Sequence, residues 1–479
     1  MGMRLHYSEV SRPTRSGAFA GAYPFLLSAV VSVVVIFAGL PALGGTGVSG
    51  RVRNVLFFLA DDMQAEAIAA QGHPVVKTPT LDRLVQEGFV FRRCYIMGST
   101  MPAVCIPSRA MLWSGRTLWR VPADLKNVVT LPQLLRQHNY ETFITGKWHN
   151  GRPSLARSFS AGQAIFFGGM SDHNRVPIFD FDPTGKYPEA AQRKGDRFSS
   201  ALFADAAADF IKSYRGEKPF FVLVSFTAPH DPRTPPPEFA KMYDPQAIPL
   251  PPNFLPEHPF DNGELKVRDE LLAPFPRTAE VIRQHLADYY GMISHLDAQV
   301  GRVLAALMDS PHMAQTLVIF TADNGLAIGR HGLLGKQNLY EHSIRVPLIL
   351  WGPGISPGQS DELVYLHDLF PTICEALGLP VPEAVEGQSL WPIVDGRVAR
   401  GREFLIFGYR DQQRAIRMGK WKLIRYRVGG QEIVQLFDVE SDPWEIVNLA
   451  NSPAYVGMKQ KLVRLLDEEC RRLGDPTAE

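Results

Sequence analysis

The chain has 479 residues, more than one hydrophobic core usually supports, so a large domain with a smaller one attached is expected. Hydrophobic residues at 45% and charged residues at 21% are ordinary for a folded soluble protein, and a formal net charge of +1 excludes a long-range pull toward nucleic acid. The four cysteines, Cys94, Cys105, Cys374 and Cys470, are scattered without CxxC spacing, which speaks against a disulfide framework and against a zinc site.

Arg4, Arg12 and Arg15 precede an apolar run over residues 22–40, and the small residues Ala42, Gly44 and Gly45 follow it. This is the order of a secretory signal, so export is predicted: periplasmic, secreted, or anchored on the outer side of the cytoplasmic membrane. The run approaches the roughly 20 residues that span a bilayer, which leaves an uncleaved membrane anchor as the alternative. No Cys follows the run, which removes a lipoprotein anchor.

From Asn54 onward, short apolar runs alternate with helical patterns, the signature of an α/β fold with a mostly parallel central sheet flanked by helices. Residues 55–59, 142–144, 220–226 and 317–320 each read as a buried strand of aromatic and β-branched residues. Thr78 can cap a helix with Pro79 at its first position, Leu81, Leu84 and Val85 on its inner face and Gly88 at its end. Ile293, Leu296, Val300 and Leu304 give helical spacing to residues 282–307. Residues 231–276 are dense in proline, show no period and read as a long ordered loop over a site. Beyond about residue 396 the pattern becomes strand-like at 404–407, 421–426 and 433–437, then helical at 454–472. The expected organisation is therefore a targeting or anchor segment over 1–49, a large domain over 50–395 and a small C-terminal domain over 396–479, with a short antiparallel sheet and one helix.

In open α/β sheets ligands bind beyond the carboxyl ends of the strands, so the residues that follow each strand belong in one comparison. They are Asp61 and Asp62, then Lys147 and His149, then His230, then Asp323 and Asn324. An Asp-Asp pair alone commonly caps a helix, but two acidic pairs after two buried strands, with Lys and His after the neighbouring ones, point to a hard divalent cation held by oxygen ligands. The sharpest local motif is Cys105-Ile106-Pro107-Ser108-Arg109, running on to Gly115-Arg116. Pro107 suits the first turn of a helix and Gly115 its end, which places Cys105 just before a helix N-terminus, where negative charge is favoured. A buried free cysteine is the plain alternative.

Here the chain resembles the type I sulfatases of the alkaline phosphatase superfamily. Cys-x-Pro-Ser-Arg followed by Gly-Arg is similar to their first signature, and Asn139-Tyr140-Glu141-Thr142 with Gly146-Lys147-Trp148-His149 to their second. Asn139 stands where the family has Gly, a mild change because Asn tolerates left-handed turns. Trp113-Ser114 replaces a common Leu-Thr beyond the reactive positions. The likeness continues through Thr227 to His230, Thr321 to Gly325, His331 with Lys336, Arg345 to Gly354, Leu436 to Pro443 and Asn448 to Ala450, and so covers nearly everything after Arg53.

The resemblance implies that Cys105 is oxidised to formylglycine by a maturation enzyme, formylglycine-generating or anaerobic. One hydroxyl of its hydrated aldehyde would attack sulfur, and the other would give the route for sulfate release that a serine lacks. It implies one calcium ion held by Asp61, Asp62, Asp323 and Asn324, with residue 105 as a further ligand. Arg109 and Lys147 would stabilise the hydrated aldehyde, His149 would take the proton that restores it, and His230 with Lys336 would bind sulfate and help protonate the leaving oxygen. His331, Asp231, Arg233, Asp172 and His173 are candidates for substrate contact. By analogy the substrate is a sulfated carbohydrate or polysaccharide. The enzymatic rival is a phosphonate monoester or phosphodiester hydrolase of the same superfamily. A catalytically silent glycan-binding protein is the rival from another class, and the intact set from Cys105 to Lys336 speaks against it.

Overall fold

Seven consecutive residues of β1 (Asn54–Ala60) are buried, and this apolar run forms the middle of an eight-stranded sheet. In this computed structural model the described residues are 52–398 and 400–478, so the segment read as an export signal lies outside them. The other strands are β2 (Phe89–Phe91), β3 (Glu141–Lys147), β4 (Ala161–Phe166), β5 (Phe220–Ser225), β6 (Thr316–Ala322), β7 (Leu348–Trp351) and β8 (Gly358–Ser360). Their order is β8-β2-β7-β6-β1-β5-β3-β4. The pairs from β6 to β4 are parallel, and β7 runs antiparallel to β6 and to β2. The expected mostly parallel α/β sheet is present.

Register aligns the strand ends. Ala60 pairs with Ala322, Leu59 with Ser225, and Ser225 with Gly146, so β1, β3, β5 and β6 finish along one edge. Gly146 is required there. Its φ is +91°, and a Cβ would sit 1.9 Å from the Ser225 carbonyl oxygen. The strand takes a register shift at this point against β4, which turns the chain just before Lys147.

Helix α1 (Pro79–Glu87) and the long α4 (Ala279–Met308) pack together, and α4 also packs on α3 (Ser199–Ser213). Helix α2 (Cys105–Ser114) is buried at every residue except Ile106. Its Trp113 lies against Phe57 of β1, Phe221 of β5 and Trp148. Gly115 closes α2 at φ +66°, donating its N–H to Met111 O, as the sequence pattern leads one to expect.

The C-terminal part is an antiparallel meander of β9 (Phe404–Tyr409), β10 (Gln413–Met418), β11 (Trp421–Val428) and β12 (Gln431–Asp438), followed by α5 (Val456–Leu473). Its β9 edge pairs in parallel with Gly98–Ser99. Strand β10 has no apolar run to announce it. Its Arg414 and Arg417 are nonetheless buried, Arg414 against Asp475 and Arg417 against Glu341. Among the described residues no helix is long and apolar enough to cross a membrane.

Candidate active site

The shared strand edge gathers side chains that are far apart in sequence. Asp61 leaves β1 with its N–H on Ala228 O at 3.1 Å, and Asp323 leaves β6 with its N–H on Ala60 O at 3.1 Å. Asp62 then takes a left-handed backbone, φ +67°, a conformation Asp tolerates at some cost in energy. Across this edge lies the first turn of α2, and Cys105 is its first residue. Cys105 Sγ is 3.3 Å from Asp61 Oδ1, 3.8 Å from Asp62 Oδ1 and 3.1 Å from Lys336 Nζ.

Cations neutralise the acids one by one. Lys147 Nζ donates to Asp61 Oδ2 at 2.5 Å and to Gly169 O at 2.8 Å. Lys336 Nζ donates to Asp62 Oδ1 at 2.6 Å. Arg109 Nε donates to Asp323 Oδ2 at 2.8 Å, while its Nη1 donates to Lys147 O at 2.9 Å and Ser225 Oγ at 2.8 Å. Burial works to raise Asp61, but Lys147, His230 and Arg109 outweigh it and hold the carboxyl below its ordinary range. Burial works against the Lys336 ammonium, yet Asp62, Cys105 and Asp269 outweigh it and hold the group well above its usual value. The Cys105 thiol is pushed well up by burial and then by Asp61, with Lys147 and Lys336 opposing.

The residues fit a hard cation. Asp61, Asp62, Cys105 and His230 offer ligand atoms that all lie within 4.8 Å of one another. Asn324 donates its Nδ2 to Asp62 Oδ1 at 2.7 Å, which leaves its own Oδ1 buried without a partner, and Asp62 Oδ2 has none either. Two buried oxygens that lack hydrogen-bond donors suit calcium or magnesium. Asp323 stands slightly apart, with Oδ1 accepting from Asp62 N at 3.1 Å and Oδ2 held by Arg109.

His230 Nδ1 donates to Asp231 O at 2.8 Å, which leaves Nε2 facing Asp62 Oδ2 at 3.6 Å. His149 lies beside Gly169, its Nδ1 without a partner. Burial, then Lys147 and Arg109, hold its imidazole far below the usual range, so the ring is neutral.

Nine of the residues singled out from sequence thus meet around Cys105: Asp61, Asp62, Cys105 itself, Arg109, Lys147, His230, Asp323, Asn324 and Lys336. Others have different surroundings. His331 is buried and stacked on Tyr340 at 4.0 Å, with its Nε2 accepting from Asn253 Nδ2 at 3.0 Å; burial foremost, then His258, lowers it to about 3. Arg233 turns to His285 Nδ1 at 3.0 Å. Asp172 is exposed and accepts from Asn174 N within its own turn. His173 is buried behind the site and donates from Nε2 to His230 O at 3.0 Å, a support for that loop. Asp231 adjoins His230 and is paired with Arg268.

Sequence reasoning passed over Ser225, which receives Arg109, and Ser108, whose Oγ donates to Asp323 O at 2.5 Å. Ser225 closes a strand already recognised and Ser108 lies inside the cysteine motif, so position gave a signal for each. Asp269 and Gln337 were also missed. They join at 2.7 Å, and Gln337 Oε1 accepts from Lys336 N at 2.9 Å.

Comparison with known proteins agrees with this geometry. The sequence profile described as Sulfatase matches residues 53–379, and that described as N-sulphoglucosamine sulphohydrolase, C-terminal, matches residues 329–472. An arylsulfatase of Clostridium perfringens is 27% identical over 462 residues, covering 87% of this chain and 94% of its own. An N-acetylglucosamine-6-O-sulfatase of Bacteroides thetaiotaomicron is 24% identical over 550 residues, covering 97% of this chain and 96% of its own. A solved structure in complex with its substrate D-glucosamine-2-N,6-O-disulfate shares the fold, with a TM-score of 0.74 and 22% identity over 89% of this chain and 100% of that one.

Proposed function

The chain belongs to the sulfatase family, and from that premise we propose that it releases inorganic sulfate from a sulfated carbohydrate, with Cys105 converted to formylglycine by a maturation enzyme and one calcium ion held by Asp61, Asp62, Asp323 and Asn324. The observation that carries this reading is the convergence of these acids and of Arg109, Lys147, His230 and Lys336 on the first residue of α2. Three cations already pair with the three carboxylates, so a divalent ion would add positive charge that favours an anionic substrate. The carbohydrate follows from the N-acetylglucosamine-6-O-sulfatase among the relatives.

A calcium ion held by Asp61, Asp62, Asp323 and Asn324 would supply positive charge that lowers the cost of forming an alkoxide at residue 105. Formylglycine at position 105 would supply two hydroxyls on one carbon, one to attack sulfur and one to expel sulfate. The protein's own side chains do the rest. Arg109 is fixed by three acceptors, and its Nη2, 3.9 Å from Asp61 Oδ2, makes no hydrogen bond, which leaves one donor nitrogen for developing negative charge. Lys147 is locked between Asp61 and the Gly169 carbonyl, beside residue 105. His149, whose Nδ1 has no hydrogen-bond partner, takes the proton released when sulfate leaves. His230 Nε2 and Lys336 Nζ flank the carboxylate of Asp62, from which they bind sulfate and protonate the ester oxygen. Export is part of the same proposal and rests on Arg4, Arg12, Arg15 and the apolar run over residues 22–40.

The test is release of inorganic sulfate from a panel of sulfated oligosaccharides by protein coexpressed with a maturation enzyme, with Cys105→Ala as control and matched phosphonate esters alongside. Release by the parent alone is expected. A preference for the phosphonate esters, or binding of the sugars without turnover by formylglycine-bearing protein, overturns the proposal.

A further inference from the structure

Arg268 lies in the proline-rich segment that shows no sequence period, yet its guanidinium meets two carboxylates that lead into the site by separate routes. Nη2 donates to Asp231 Oδ1 at 2.9 Å and Nη1 to Asp231 Oδ2. Nε donates to Asp269 Oδ1 at 3.0 Å and Nη2 to the same oxygen at 2.6 Å.

The first route ends at His230. The Asp231 carbonyl accepts from His230 Nδ1 at 2.8 Å and its carboxylate Oδ1 lies 3.2 Å from the same nitrogen, which commits Nδ1 as donor and turns Nε2 inward. The second route ends at Lys336. Asp269 Oδ2 accepts from Gln337 Nε2 at 2.7 Å, and Gln337 Oε1 accepts from Lys336 N at 2.9 Å. The same Gln337 Nε2 reaches Pro102 O at 3.0 Å, three residues before Cys105. The two carboxylate side chains are 7% and 10% exposed against 44% for Arg268, so the bridge lies at the mouth of the site with its acceptors turned inward.

We propose that Arg268 is a positioning residue for the leaving-group side of the reaction: by bridging Asp231 and Asp269 it fixes the His230 loop against the Lys336 loop over residue 105. A planar guanidinium can serve two carboxylates at once with parallel N–H bonds, whereas a lysine ammonium is a point charge that holds neither in that plane. The inference rests on the reading of the protein as a sulfatase. When the S–O bond breaks, the ester oxygen departs with the bonding electron pair and takes a proton from the His230 and Lys336 pair. A nitrophenolate bears its charge without that proton, and a sugar alkoxide does not. Misplacing the two donors therefore costs more on a sugar sulfate than on an aryl sulfate.

The experiment compares parent, Arg268→Gln and Arg268→Lys on a 6-sulfated sugar and on nitrophenyl sulfate, with amide hydrogen exchange over residues 227–231 and 336–338 measured in the same proteins. For both variants kcat on the sugar sulfate is expected to fall about 30-fold or more relative to the fall on the aryl sulfate, with KM changing less. Exchange is expected to quicken in both loops. Equal losses on the two esters mark a general structural role and overturn the proposal, as does full rescue by Lys. Unchanged exchange in the loops overturns the bridge even if the parent releases no sulfate, whereas quickened exchange in a parent without sulfatase activity upholds the bridge and defeats only the proposed function.

Discussion

Asp323 has both carboxylate oxygens committed, one to the Asp62 N–H and one to Arg109 Nε, so its removal disturbs an acidic neighbour and a cation together. Asp323→Ala is expected to lower metal affinity at least ~10-fold and turnover with it, read as metal content after dialysis beside sulfate release. Unchanged metal content removes the residue from the proposed ligand set. Gly169 offers a second test. A Cβ there meets His149 Cε1 and Nε2 at 3.1 Å, so Gly169→Ala pushes the ring without removing any ionisable group. A fall of about 10-fold in kcat with little change in KM is expected, and parent-like kcat shows that His149 has room to spare. At this scale the sequence was legible wherever chemistry directly follows a strand, because strand ends must share an edge. It was silent on side-chain direction: His173 turns inward to donate to the His230 carbonyl, and His331 stacks on Tyr340. Arg268 and Asp269 gave no signal because Asp231 and Gln337, their partners, lie 37 and 68 residues away along the chain.

Helix α2 sets the height of residue 105 above the sheet, and Trp113 is its main anchor, with ring centroids 5.2 Å from Phe57, 6.0 Å from Trp148 and 6.5 Å from Phe221. Trp113→Ala should cost about 3–5 kcal/mol in urea denaturation, the range for emptying a large buried aromatic site. A cost below ~1 kcal/mol would mean that α2 is held by its polar contacts instead. The elements that were read correctly are those whose physics is local. β1, β5 and β6 are buried at every residue and are apolar at most of them. β3 was recognised only over 142–144, since Thr145, Gly146 and Lys147 carry no apolar pattern even though the strand continues through them. β10 was missed because long-range acids neutralise its buried arginines, and no window along the chain contains both partners.

At the scale of the molecule, the described residues fall into one compact unit, and buried charge joins its C-terminal sheet to the part that carries the site. Lys422 on β11 donates to Glu341 Oε1 at 3.0 Å and lies 2.8 Å from Glu445 Oε1, while Arg417 and Tyr95 also reach Glu341. Lys422→Ala leaves buried Glu445 without its cation and Glu341 with one fewer, and should cost about 3–5 kcal/mol in denaturant unfolding, whereas Lys422→Met with Glu341→Gln together should recover part of it. Glu66, in the loop after β1, adds a pH dependence. It pairs with Arg330, which lies over the Trp444 ring at 4.8 Å, and with Arg345 at 3.3 Å. Burial works to raise its carboxyl, but the two guanidinium groups outweigh burial and hold it at about 2 against an ordinary 4.5. A carboxyl lowered on folding stabilises the charged form, so this contribution is complete above pH 4.5 and fades as pH falls toward 2. Its size is at most ~3 kcal/mol. Acid titration of stability in the parent should therefore be steeper between about pH 5 and pH 2.5 than in Glu66→Gln, which keeps the shape and removes the charge. Equal slopes would mean that the Arg330 and Arg345 pairs contribute nothing to folding, and that the loop after β1 is held in place by the strand edge alone.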